Sequence, residues 1–138
     1  MGISLNHTIV VVRDKEKTAK FLTEMLGLPP HIGRGHLAVV RVGEASLDFV
    51  ETDELIESRH FAFLVSETEF DEIFQRIRDQ GLPYWADPFG REPNSINTYD
   101  DGRGLYFNDP NGHLLEIITR PYGSGGKGAR NPYPLLSK

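Results

Sequence analysis

A segment that occurs twice constrains this chain more than anything else in it: LNHTIVVVRDKEKTAKFLTEMLGL from Leu5 and RHFAFLVSETEFDEIFQRIRDQGL from Arg59. In each copy an apolar strand-like run carrying a histidine, His7 or His60, passes into helical spacing and stops at a glycine, Gly27 or Gly81. A second matched pair follows each copy, GEASLDFVE and NGHLLEIIT, with Asp48 and Glu116 at the same point of a short apolar strand. Two histidines and two carboxylates thus recur in register. If two such halves pack about a pseudo-twofold axis, the four side chains can converge, and imidazoles with carboxylates are ligands for a divalent metal.

The 138 residues are of ordinary apolar content and 25% charged, which describes a single folded domain rather than a disordered or fibrous chain. The 20 acidic and 15 basic residues give a net charge of -5 with no basic run, so nothing is built to neutralise a phosphate backbone, and nucleic acid is excluded as a partner. There is no cysteine, no charged-then-apolar leader and no apolar run near the roughly 20 residues of a bilayer span. The expectation is a cytoplasmic protein without a membrane partner.

Periodicity divides the chain. Leu5, His7, Ile9 and Val11 share one strand face and Asn6, Thr8, Val10 and Val12 the other, a strand apolar on both faces and so expected to be covered on both. Asp14 is a candidate N-cap, Ala19, Leu22, Met25 and Leu26 have helical spacing, and Gly27 with Pro29 and Pro30 ends the helix. Strand-like runs follow around Leu37 to Val42 and Ser46 to Thr52, with Gly43-Glu44 as a hairpin turn. In the second half Ser66 and Glu69 have capping-box spacing, and Phe70, Ile73, Phe74 and Ile77 fall on one helical face. Gly104 to Asn108 and His113 to Arg120 read as closing strands joined by the turn Asp109-Pro110-Asn111-Gly112. The stretch from Asp87 to Gly104 has no counterpart in the first half and reads as a long surface loop, either a lid or a plain excursion. Beyond Pro121 the glycine-rich tail is expected to be flexible or draped over a partner.

The segment from Leu105 to Glu116, LYFNDPNGHLLE, with the Tyr-x-x-Asp-Pro-x-Gly-x-x-x-Glu spacing from Tyr106 to Glu116, resembles the closing motif of the vicinal oxygen chelate superfamily, which includes glyoxalase I, extradiol dioxygenases, fosfomycin-resistance proteins, methylmalonyl-CoA epimerase and bleomycin-resistance proteins. The resemblance covers about residues 3 to 121. It implies an α+β fold of two βαβββ modules in tandem whose curled mixed sheets form a metal-centred cleft. The modules would span about residues 3–53 and 57–122 of one domain over 1–122, with 123–138 as a tail. It further implies metal ligands at His7, His60 and Glu116, with Asp48 at the fourth matching position as ligand or base, and a homodimer acting on a small-molecule substrate.

Glu116 shares a strand face with Leu114 and Ile118, so its carboxylate points into apolar surroundings and needs a positive partner. Apart from Arg120 at the far end of the closing strand, no lysine or arginine lies on the strand face of His7, His60 or Glu116, which points to a cation from solution. Two histidines and one carboxylate favour Fe(II), with Mn, Zn or Ni as alternatives. His31, His36 and His113 are read as ordinary core or surface histidines.

Two chemistries lead. If Asp48 does not reach the metal, open positions suit a bidentate catecholate and dioxygen, the ring-cleaving arrangement, with Tyr106 as a substrate-side donor; its bland alternative is a strand aromatic with its hydroxyl at the rim. The resemblance has one gap, because Asn97-Thr98-Tyr99 stands where the dioxygenase signature carries a histidine. If Asp48 does reach, the set suits glyoxalase-type or epimerase-type proton transfer by an isomerase or lyase. Fosfomycin-type epoxide opening and metal-free sequestration of the bleomycin-resistance kind are further alternatives, the latter using Tyr84, Trp85, Phe89 and Tyr99.

Overall fold

The structure, a computed structural model, describes residues 2–130. Strand β1 (His7–Val12) leads through the cap Asp14, whose carboxylate accepts from the Lys17 N–H, into helix α1 (Lys15–Leu26). Gly27 closes α1 at φ 69°, a left-handed conformation in which a side chain would be strained. Three strands follow, β2 (Ile32–Arg34), β3 (Leu37–Val42) and β4 (Ala45–Glu51). The second copy repeats the order: β5 (His60–Leu64), α2 (Glu67–Asp79), β6 (Tyr84–Trp85), β7 (Gly104–Asn108) and β8 (Leu114–Ile118). The Ser66–Glu69 capping box is formed in both directions.

Each copy makes a four-stranded mixed sheet, in the order β1-β4-β3-β2 and β5-β8-β7-β6. The first strand of each runs parallel to the last, which the intervening helix permits, and the other pairs are antiparallel. This is the two-module α+β architecture expected from the repeat. The chain divides into two compact units, one running to Ser58 and including Asp109–Gly112, the other comprising Arg59–Asn108 and the residues from His113 onward. In the first, Asn111 is tied down by accepting from the Arg13 N–H at 2.8 Å and donating to Thr18 Oγ1 at 3.0 Å.

One face of each sheet packs on its own helix. Val10, Val12, Val40, Leu47 and Phe49 are buried with Ala19, Leu22 and Met25 in the first unit; Phe63, Leu105, Phe107, Leu115 and Ile117 are buried with Phe70, Ile73 and Ile77 in the second. The opposite face of β1 corrects the expectation that both sides are covered. His7 is exposed, and Ile9 and Val11 are 58% and 41% exposed. The physical reason is that each βαβββ unit has one helix layer for a two-sided sheet. In the second unit His60, Ala62 and Leu64 line the corresponding exposed face of β5. No helix among the described residues is long and apolar enough to cross a membrane.

The stretch from Asp87 to Gly104 is more than a plain surface loop. The Asp87 carboxylate accepts from the backbone N–H groups of Phe89, Arg91 and Glu92 at 2.7–3.1 Å, Asn97 donates its amide to the Ala86 carbonyl at 2.7 Å, and Asn97, Tyr99 and Asp100 are buried. Burial pushes the Asp87 carboxyl up, and these donors pull it down further, leaving it below the ordinary aspartate range. The residues after Pro121 also depart from expectation as far as Arg130. The Asp100 N–H donates to the Arg130 carbonyl, and the Gly125 and Gly126 N–H groups donate to the Asp100 and Asp101 carboxylates. This glycine-rich segment is therefore held on its own chain, because glycine allows the backbone to lie against backbone. The expected packing of Pro132–Leu136 on a partner falls outside the described residues.

Candidate metal and oxygen chemistry site

Register places the singled-out residues. On β1 and β4, His7 pairs with Ser46 and Ile9 with Asp48; on β5 and β8, His60 pairs with Leu114 and Ala62 with Glu116. Partners across neighbouring strands share a sheet face. Each sheet thus carries a histidine and, two residues past that histidine's partner, a carboxylate on the same face. Tyr106 pairs with Glu116, and Trp85 with Tyr106, which puts all three in one row of the second sheet.

In the second unit the residues meet. His60 Nε2 lies 3.1 Å from Glu116 Oε1, and the His60 ring stacks on Tyr106 with centroids 5.9 Å apart. The Glu116 side chain is 0% exposed, whereas that of His60 is 35% exposed, so an ion reaching the pair arrives from the histidine side. The second carboxylate oxygen, Oε2, accepts from the Tyr122 hydroxyl. Because Tyr122 has committed its proton to Glu116, the 2.9 Å bond between the two phenols has Tyr106 as donor. Burial, then the bond to Tyr122 and the Glu116 charge, raises the Tyr106 hydroxyl above the ordinary tyrosine value, so it acts as a neutral donor. Tyr106 is 0% exposed, which corrects the rim alternative.

The protonation logic of His60 is a direct test of fit to a cation. Its Nδ1 faces the Leu114 carbonyl oxygen at 3.0 Å and must donate there, and its Nε2 faces a carboxylate oxygen. Both nitrogens point at acceptors. Against an ionised Glu116 a neutral ring would set a lone pair against a carboxylate oxygen, an arrangement that a proton on Nε2 or a metal ion between the two atoms relieves. The Glu116 hydrogen bond accordingly raises the His60 pKa above the ordinary histidine value, against burial. A backbone carbonyl fixing the far nitrogen is also how proteins orient metal-bound imidazoles. Two ligands each about 2.1 Å from one ion at right angles stand about 3.0 Å apart, close to the observed separation. The donor set therefore fits a divalent metal.

In the first unit His7 Nδ1 bonds Asn6 Oδ1 at 2.6 Å, so that in the neutral ring Nε2 is the acceptor nitrogen. Asp48 is buried and accepts from the Ser46 hydroxyl at 2.7 Å. No group of three or more His, Cys, Asp or Glu side chains placed to hold a metal occurs among the described residues. The remaining histidines behave as read: His113 is buried and accepts from the Arg59 N–H, His31 lies 2.8 Å from Glu16, and His36 is exposed. Sequence reasoning missed Tyr122. Its only signal was a tyrosine six residues past Glu116 in a segment without strand or helix pattern.

The glyoxalase/bleomycin resistance protein/dioxygenase superfamily model matches residues 4–117. The chain belongs to that superfamily. Among solved structures of the superfamily fold, oxidase ChaP-H2 is 53% identical with a TM-score of 0.87, covering 91% of this chain and 100% of that one. Oxidase ChaP-H1 is 51% identical with the same TM-score of 0.87, covering 88% and 99%. Glutathione transferase FosA of Serratia marcescens is 30% identical over 121 residues, covering 83% of this chain and 79% of that protein. As a superfamily member this chain pairs the shared two-module fold with a His–Glu–Tyr cluster on its second sheet.

Proposed function

We propose that the protein is a divalent-metal-dependent oxidative enzyme, dioxygenase-like, acting on a small aromatic molecule that chelates the metal through two adjacent oxygens. One observation carries the reading: a histidine nitrogen and a buried carboxylate oxygen face each other at 3.1 Å, a spacing that suits a shared cation, beside two linked phenols, in a chain about half identical to two oxidases. His60 and Glu116 are two of the ligands. His7, exposed on the first strand of its own sheet at the position His60 holds in the second, is proposed as the third. Fe(II) is favoured, since two histidines and a carboxylate leave positions open.

Held by these residues, such an ion would supply Lewis acidity and a redox centre. The chain's own residues do the rest. Tyr106, kept neutral, donates through Tyr122 toward the carboxylate and fixes the charge on Glu116. A cavity of about 230 Å³ lined by Trp85, Pro88, Phe89, Gly90, Asn108 and Leu114 adjoins this face and suits a flat aromatic body. Asp48, buried at the position of the first sheet that Glu116 holds in the second, is the candidate base. The fosfomycin alternative calls for cations that would hold a phosphonate. Of the candidates beyond the last strand, Arg120, Lys127 and Arg130, Arg120 is engaged by the Ser124 carbonyl.

The test is elemental analysis of protein purified without added metal, followed by oxygen-electrode assays with catechols. Iron near one per chain and oxygen uptake that stops on chelation support the reading. Zinc, nickel or manganese with turnover of thiohemiacetals or acyl thioesters replaces it with proton transfer. Ligand binding unchanged by exhaustive chelation replaces it with sequestration.

A further inference from the structure

Glu116 is a fully buried carboxylate whose two oxygens are treated differently: Oε1 faces His60 Nε2, and Oε2 is capped by the Tyr122 hydroxyl. Tyr122 lies beyond the superfamily match, which ends at residue 117, and beyond the last strand, which ends at Ile118. It is nevertheless firmly placed. The Ser124 N–H and hydroxyl both donate to the Pro121 carbonyl, Arg120 donates to the Ser124 carbonyl, and the next two amides are anchored on Asp100 and Asp101. Close contact rather than a flexible link holds the segment: a Cβ on Gly125 would come within 2.6 Å of the Asp100 Cα.

We propose that Tyr122 is a positioning residue that reserves Glu116 Oε2, so that the carboxylate meets a bound metal through Oε1 alone. The proposal rests on the metal site of the preceding section. A carboxylate without that bond is free to turn and take two coordination positions. Held to one oxygen, Glu116 with two histidines leaves three positions of an octahedron, enough for a substrate binding through two oxygens and for one further reactant. Tyr106, donating to Tyr122, keeps the phenol's own proton directed at the carboxylate.

The experiment compares wild type with Tyr122→Phe, using Mn(II) titration followed by electron paramagnetic resonance and the visible absorption of the Co(II)-loaded protein. The expected result is Mn(II) affinity weaker by about 10-fold to 100-fold and a weaker Co(II) absorption band, as a second carboxylate oxygen raises the coordination number. The melting temperature of the metal-free protein separates this from a loss of fold. Unchanged affinity and spectrum overturn the proposal while leaving the metal site standing; a wild type that binds neither ion overturns both. Should Tyr122→Phe fail to fold, the infrared carboxylate bands of Co(II)-loaded against metal-free wild type decide: a one-oxygen pattern supports the proposal and a two-oxygen pattern overturns it.

Discussion

Asp48 holds in the first sheet the register position that Glu116 holds in the second, each two residues beyond the partner of a histidine on the parallel first strand. Their surroundings differ. Glu116 is pinned between His60 and Tyr122, whereas Asp48 takes the hydroxyl of Ser46 and is one methylene shorter. The repeat thus presents two equivalent carboxylates and specialises one of them.

Glu116→Gln and Asp48→Asn should therefore behave unequally. Replacing Glu116 removes the negative charge that the His60 side requires, and bound metal per chain should fall at least about tenfold. Asp48→Asn should keep its metal and lose turnover. Parallel metal analysis and steady-state kinetics check this; equal metal loss in both would make Asp48 a fourth ligand.

Tyr106→Phe removes one hydroxyl from a fully buried ring and keeps its volume. The stability cost should be small, about 0.5–1.5 kcal/mol for one hydrogen bond. The effect on kcat should be larger, at least about tenfold, because Tyr122 loses the donor that keeps its own proton directed at Glu116. Thermal melts beside kcat separate the two.

Asp87 should make the loop acid-sensitive. Its carboxyl lies below the ordinary aspartate range, so its stabilisation is complete above the unfolded value of about 4 and is lost as pH falls through the folded value. Trp85, the one tryptophan in the chain, bridges to Pro93 in this loop and serves as reporter. Asp87→Ala should be less stable by about 1–3 kcal/mol at neutral pH. The difference from wild type should shrink below pH of about 4; a constant gap across the acid range would show that the backbone donors are not what Asp87 supplies.

Gly125→Ala should strip the Tyr122 segment from its seat. The added methyl would meet the Asp100 backbone at 2.6 Å and the Ala129 Cβ at 2.6 Å, too close to be absorbed by a side-chain rotation. A cost of about 1–3 kcal/mol is expected, with faster amide exchange at Gly125 and Gly126 and slow exchange retained in β7 and β8. Unchanged exchange would mean the backbone yields at no cost.

What the sequence determined by itself is what short-range chemistry determines. Asp14, the Ser66–Glu69 pair and Gly27 act within a few residues, so both helices were legible. The period-two pattern and the repeat together placed His7, Asp48, His60 and Glu116 on equivalent strand positions, because a register repeated twice is a long-range fact written locally. What only the tertiary structure decided depends on residues distant in the chain or outside any pattern. A two-sided apolar β1 does not say which face its own helix covers. Asp87 becomes an anchor only when the chain turns back on it, and Tyr122 reaches Glu116 because glycines let the following segment lie on Asp100. Those contacts follow from where the backbone is carried, and no periodicity records them.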